Sequence, residues 1–144
     1  MTRAVETDPI TVVRQYVEAL NRSDWSSLME LLHPEFRRHS AAASSSGIEG
    51  IADFLQFLQD EHTAYPDARE ELLDIFSSGQ KVAARHLFTG TQLGPLGSHP
   101  ATARKVRSVY IALYQVENGR ITRAWAEWDN LVDLRQLGLE PGPA

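Results

Sequence analysis

Four side chains of this sequence carry chemistry that a pocket without a metal or nucleotide could use: Tyr16, His39, Arg85 and Asp129. An imidazole titrates near neutral pH, so His39 suits a base or an acid. Tyr16 and Arg85 offer donors to a developing oxyanion. Asp129 and its neighbour Glu127 are the acids at the end of the last long apolar segment. Each has a plainer reading. His39 follows a helix pair and could be a solvated or capping residue. Arg85 could pair with Asp74 or Glu127. Asp129 could cap a helix over Leu131 to Leu137. Trp125 and Trp128 suit packing at the end of a strand. With no cysteine, thiolate nucleophiles, disulfides and thiolate-bound metals are excluded. The histidines show no His-x-x-x-His pair, so no metal is expected. Neither a Gly-x-Ser-x-Gly elbow nor a GxxxxGK loop occurs, which leaves acyl-enzyme chemistry and nucleotide hydrolysis without support.

The elements that must position these groups follow from pattern. At 144 residues, 42% apolar and 23% charged, the chain has globular composition, and one domain is expected over residues 1–144 with its core over about 9–138. A net charge of -5 without a basic stripe argues against nucleic acid. No run approaches the roughly 18 apolar residues that span a bilayer, and no apolar leader follows Met1, so no membrane partner and a cytoplasmic location are expected.

Asp8-Pro9 reads as an N-cap followed by proline at the first helical position, with Val13, Tyr16, Val17 and Leu20 on one face of helix one. A second start lies at Ser23 or Asp24, with an apolar face of Trp25, Leu28, Met29 and Leu32 that stops before Pro34. Glu35 to Ser40 reads as a brief strand, and Ala41 to Ser46 as an exposed loop, a candidate lid. Ile51, Phe54, Leu55 and Leu58 place helix three over Ile48 to about Thr63. Strands are expected around Leu72–Phe76, Lys81–Gln92, Lys105–Val116 and Arg120–Asp129, the last pair joined by Asn118-Gly119, a strong hairpin signal. The tail Glu140 to Ala144 should fray. Helices followed by an antiparallel meander make an α+β fold, with three N-terminal helices on a curved, mixed, mostly antiparallel sheet. Lys105–Val116 is apolar on both parities. Tyr110, Ala112 and Tyr114 suit a cavity, while Val109, Ile111 and Leu113 suit helices or a partner. Left bare, that second row would expose a sizeable patch, so a homodimer is expected.

Several segments in this order resemble the SnoaL-like polyketide cyclases, within the NTF2-like superfamily that also holds ketosteroid isomerase: Val12 to Asn21, His33-Pro34-Glu35-Phe36 to His39, Gly47-Ile48-Glu49-Gly50, Thr89 to Gly94, Glu117 to Ile121, Trp125 to Asp129, and Arg135 to Gly138. The resemblance implies a cone-shaped α+β barrel whose mouth accepts a small apolar organic substrate. It also implies a cofactor-independent cyclase or isomerase that closes a ring in a polyketide- or terpenoid-type intermediate of secondary metabolism. A hydroxylase-like, dehydratase or epoxide-opening relative, or a non-catalytic binding protein, are the alternatives, because one scaffold hosts many chemistries.

Aldol-type cyclases of this family use an aspartate on the last long strand and a histidine on the strand before. Registered on Asn118-Gly119, those positions fall on Ala126 and Ala112, which carry no proton. The isomerase-like base position falls near Ser40, and the epoxide-hydrolase Arg-x-Asp strand becomes Arg85 with Leu87. The resemblance then implies catalytic groups from Tyr16, His39, Arg85 and Asp129. The substrate would lie against Leu87, Gln92, Tyr110, Tyr114, Trp125 and Trp128.

Overall fold

The computed structural model describes residues 7–41 and 47–139; the candidate lid over Ala41 to Ser46, apart from Ala41 itself, and the tail at 140–144 lie outside the described residues. The chain runs α1 (Pro9–Asn21), α2 (Trp25–Glu30), β1 (Leu32–His39), β2 (Gly47–Glu49), α3 (Gly50–Ala64), β3 (Arg69–Ser78), β4 (Lys81–Thr91), β5 (Lys105–Glu117), β6 (Arg120–Glu127) and α4 (Asn130–Gln136). The strands form one curved, unclosed sheet in the order β2-β1-β6-β5-β4-β3. Only the β1–β6 pairing is parallel. Helices cover the inner face, as the α+β pattern predicts. No helix among the described residues is long and apolar enough to cross a membrane.

The helix starts are local chemistry. Asp8 accepts from the Ile10 N–H with Pro9 at the first position of α1, and Asp24 accepts from the Ser27 N–H and hydroxyl at the start of α2; such a cap is worth about 1 kcal/mol. The β5–β6 hairpin closes through Asn118 and Gly119, both at positive φ (52° and 76°), as a two-residue type I′ turn requires.

Helix two is shorter than its apolar face suggests. It ends at Glu30, and Leu32 is the first residue of β1, paired with Ile121. Leu32 is buried by sheet pairing rather than by a helical stripe. Pro34, expected to end a helix, lies within the strand. It falls in the register shift between Leu32 and Arg37, where its missing N–H removes no ladder bond.

Strand register decides which side chains face the helices. Ala84 pairs with Ala112 and Ala112 with Ala126, so a row of alanines crosses the middle of the sheet on its inner face, all three buried. Phe36 of β1 meets Phe54 of α3 at 4.9 Å between ring centroids, both fully buried, and Val12, Val13 and Val17 seat α1 beside them. Large side chains fill the β1 side while methyl groups line the centre. A hollow remains there.

Candidate functional site

That hollow is a cavity of about 490 Å³ between α1, α3, α4, the 95–97 loop and the inner sheet face. Ala112, Ala124 and Ala126 form its floor, with Leu58, Phe54, Phe88, Leu134 and Leu137 among its apolar walls. Its size and largely apolar lining suit a multi-ring organic ligand.

One set of polar groups at and beneath the floor comes from β3, β4 and β5. The Asn21 side chain at the end of α1 donates to the Glu70 carbonyl (2.9 Å) and accepts from the Glu70 N–H (2.7 Å), which fixes the Glu70 backbone. Tyr110 donates to Glu70 Oε1 at 2.7 Å. The His86 ring stacks on Tyr110, with centroids 4.5 Å apart and planes 2° from parallel. His86 Nε2 lies 2.9 Å from the Tyr114 hydroxyl, and Nδ1 lies 3.4 Å from Glu70 Oε2. This last contact is at ion-pair range without hydrogen-bond alignment, and neither atom has another partner among the described residues. Tyr16 meets Tyr114 edge to face at 5.7 Å. Burial first, and then neighbouring tyrosines and Glu70, hold the hydroxyls of Tyr110 and Tyr114 well above the ordinary phenol range. Burial raises Tyr16 as well, with Arg38 pulling the other way.

A second set lies on the α3 side. Glu61 is half-buried and lines the cavity. Burial, then the charge of Glu70, push its carboxyl from 4.5 up to about 7, against a smaller opposing pull from Arg38. Arg38, on β1, also lines the cavity, with its guanidinium 4.8 Å from the Phe57 ring and 5.4 Å from the Trp128 ring. It makes no ion pair among the described residues. Two ring faces thus hold a cation whose edge N–H groups remain available to a ligand.

The structure sorts the ten site residues named from the sequence by strand parity. Tyr16, Tyr110, Tyr114 and Trp128 line the cavity. His39 sits on the other face of β1 from Arg38, stacked on Trp125 at 5.8 Å, and neither of these two rings lines the cavity. Arg85 is exposed and pairs with Asp74 at 2.6 Å. Leu87 is buried away from the cavity. Gln92 is fully buried, bonded to the Pro100 carbonyl (3.1 Å) and the Thr102 hydroxyl (2.7 Å), which ties down the β4–β5 connection. Strand β6 ends at Glu127, before any bulge could turn Asp129 inward. Asp129 is exposed and caps α4 by accepting from the Val132 N–H at 3.1 Å. Glu127 is exposed too and accepts from the Ala41 N–H at 3.3 Å.

Arg38, Glu61, Glu70 and His86 were not among the expected site residues. Glu61 had a signal: it lies seven residues after Phe54 and three after Leu58, so it continues the apolar face of α3 as an acid. His86 shares the inward parity of Ala84 and Phe88. For Glu70 the local pattern gives no sign, because a bulge between Leu72 and Asp74 changes the parity of β3 partway along.

Residues 10–137 match the family model for SnoaL-like polyketide cyclases. The chain is 30% identical over 136 residues to the aklanonic acid methyl ester cyclase DnrD of Streptomyces peucetius, covering 93% of this chain and 92% of that protein. Among solved structures, it superposes on IdmH of Streptomyces antibioticus with a TM-score of 0.81 at 28% identity, over 92% of this chain and 99% of that one. For TsrD of Streptomyces laurentii the TM-score is 0.80 at 29% identity, over 93% and 99%. With this match over nearly the whole chain, and an apolar cavity on the concave face of its sheet, the protein belongs to the SnoaL-like polyketide cyclase family.

Proposed function

We propose that this protein is a cofactor-independent cyclase that closes a ring in a polyketide-type intermediate by acid/base chemistry inside its apolar cavity. The observation that carries the reading is Glu61, a carboxyl raised to about 7 in the cavity wall. An aldol closure removes a proton from a carbon beside one carbonyl and joins that carbon to a second carbonyl, whose oxygen then takes up a proton. A carboxyl near neutrality is partly protonated, so Glu61 delivers the proton to that oxygen as charge develops. Arg38 holds the enolate oxygen, its charge strengthened by the apolar surroundings. The walls restrict a flexible chain to geometries near attack, which can itself contribute several kcal/mol.

The test is turnover of aklanonic acid methyl ester, the compound for which DnrD is named, followed as appearance of the ring-closed product. We expect acceleration over buffer, and Arg38→Met should lower kcat/KM by about 10- to 100-fold through loss of one charged donor. Equal rates with and without protein would remove the reading for this substrate.

Ala112 and Ala126 favour a second reading, since they put methyl groups where the family resemblance implies histidine and aspartate. A protein that binds without turnover would melt higher with ligand and show no pH-dependent rate.

We further propose that a second copy covers the outer sheet face, where Val109, Ile111 and Phe76 are 47%, 59% and 66% exposed. Light scattering at micromolar concentration should give twice the chain mass, and Ile111→Lys should give a monomer with its helix content unchanged. A wild-type monomer would remove this proposal.

A further inference from the structure

The closure described above needs a base for the carbon proton, and Glu61 occupies the acid's place. From the arrangement of β3, β4 and β5 we infer that Tyr114 is that base, its own proton passing to His86 behind the cavity wall, where Glu70 holds the imidazole in place.

The His86 side chain has no solvent exposure and does not line the cavity, whereas Tyr114 and Glu70 do. A fully buried imidazole must find partners for both ring nitrogens or lose the free energy of desolvating them. Nδ1 faces Glu70 Oε2 at 3.4 Å, within ion-pair range though not aligned as a hydrogen bond, and an ionised carboxylate oxygen only accepts, so the assignment puts the ring proton on Nδ1. In that tautomer Nε2 has only a lone pair, and the Tyr114 hydroxyl, 2.9 Å away, is placed to donate to it. Carboxylate, imidazole and hydroxyl thus stand in the same order as in a serine hydrolase triad, with a phenol in place of the serine.

Two further contacts hold the arrangement. Tyr110 stacks flat on the imidazole and donates to the other oxygen of Glu70, so both rings and the carboxylate are fixed together. Asn21 fixes the Glu70 backbone at both its N–H and its carbonyl. In this tautomer the single proton of Tyr114 lies toward His86, which leaves the oxygen lone pairs for the cavity. Burial keeps the hydroxyl well above the ordinary phenol range, so no standing phenolate exists and the two transfers are coupled.

This assignment rests on the cyclase reading and completes its balance. The substrate C–H proton moves to the Tyr114 oxygen as the Tyr114 proton moves to His86 Nε2. The C–H electron pair becomes the enolate, and the Glu70 carboxylate offsets the imidazolium. The enolate carbon then bonds to the second carbonyl carbon, and that carbonyl's π pair goes to its oxygen, which takes the Glu61 proton. Loss of the His86 proton through Tyr114 to water and uptake of one proton by Glu61 reset the site, and no outside reagent is consumed. Tyr114 is the catalytic residue; His86 and Glu70 act through it as positioning residues.

Two measurements test the assignment. Histidine ring 15N NMR on the wild-type protein near pH 7.5 should show one ring with Nδ1 protonated and Nε2 bare. Tyr114→Phe should shift that Nε2 resonance and leave its Nδ1 partner protonated. A proton on Nε2 in the wild type overturns the assignment, because Tyr114 would then accept from His86. The second measurement is deuterium uptake from D2O at the bond-forming carbon of aklanonic acid methyl ester, which reports proton removal whether or not the ring closes. Uptake above buffer is expected in the wild type. It should fall about 100-fold in Tyr114→Phe and about 10-fold in Glu70→Gln, with Tyr114→Phe/Glu70→Gln no worse than Tyr114→Phe alone, since the residues act as one unit. Unchanged uptake in Tyr114→Phe, or none in the wild type, overturns the assignment. Uptake without ring closure leaves the base standing and overturns the cyclase reading alone.

Discussion

Replacing Glu61 by Gln should lower ring-closing turnover by about 100- to 10,000-fold, the usual worth of a positioned acid, and should abolish the fall in rate expected of the wild type as pH rises through about 7. The amide keeps the shape of the side chain and cannot give up a proton at neutral pH. The same substitution should change stability in a direction set by linkage. In the unfolded chain the carboxyl titrates near its ordinary 4.5, and in the folded protein near 7. Between these values the native state holds a proton that the unfolded state has lost. The associated stability is therefore fully present below 4.5 and is lost as pH rises through 7. At about 1.4 kcal/mol per unit, the decline is on the order of 3 kcal/mol. Glu61→Gln should remove this slope and melt higher than the wild type above pH 8. Denaturant midpoints collected from pH 4 to 8.5 check it. A variant whose slope matches the wild type would mean that Glu61 ionises freely, and it would withdraw the acid's role as well.

Gly94→Ala should be among the most destabilising single-methyl additions in this chain. The loop after β4 crosses the end of α3 so closely that a Cβ on Gly94 would stand 2.2 Å from the Thr63 carbonyl oxygen and 2.9 Å from its carbon. Both are backbone atoms, so no side chain can swing aside. The approach has a reason: the N–H groups of Leu93 and Gly94 both donate to the Ala64 carbonyl, at 3.0 and 3.2 Å, and so satisfy an acceptor that the helix end leaves open. Adding the methyl forces the loop and the helix end apart and breaks those bonds, at a cost of roughly 3 kcal/mol or more. Thermal denaturation should show a melting temperature lower by on the order of 10 °C. Gly47→Ala is the control, since its nearest neighbour, the Arg38 carbonyl oxygen, is at an ordinary 3.7 Å. Equal melting of the two variants would show that the crossing yields easily. Pro95 to Gly97 follow directly and line the cavity, so the displaced loop should weaken ligand binding too.

Much of the architecture is legible along the chain because its signals are local. Asp8-Pro9 and Asp24 cap helices through contacts two or three residues away, and Asn118-Gly119 closes its hairpin because those residue types tolerate positive φ. The double apolar parity of Lys105–Val116 shows that β5 has two covered or coverable faces. Period alone does not say which face meets the helices. That choice belongs to the whole sheet, and it placed Tyr16, Tyr110, Tyr114 and Trp128 inside while leaving His39 and Arg85 outside. Asp129 shows a local signal prevailing: its capping bond to Val132 spans three residues and needs only the strand to stop at Glu127. The chemistry of the cavity is the opposite case. Tyr110 reaches Glu70 across 40 residues and Tyr114 reaches His86 across 28. Glu61 acquires its raised carboxyl because α3 folds over the sheet, where burial first and then the charge of Glu70 act on it. A capping bond depends on a few neighbouring dihedrals, so residue type and spacing suffice to foresee it. Desolvation and long-range charge depend on what the rest of the chain brings within a few ångströms, and that is set only when the sheet curves and the helices close over it.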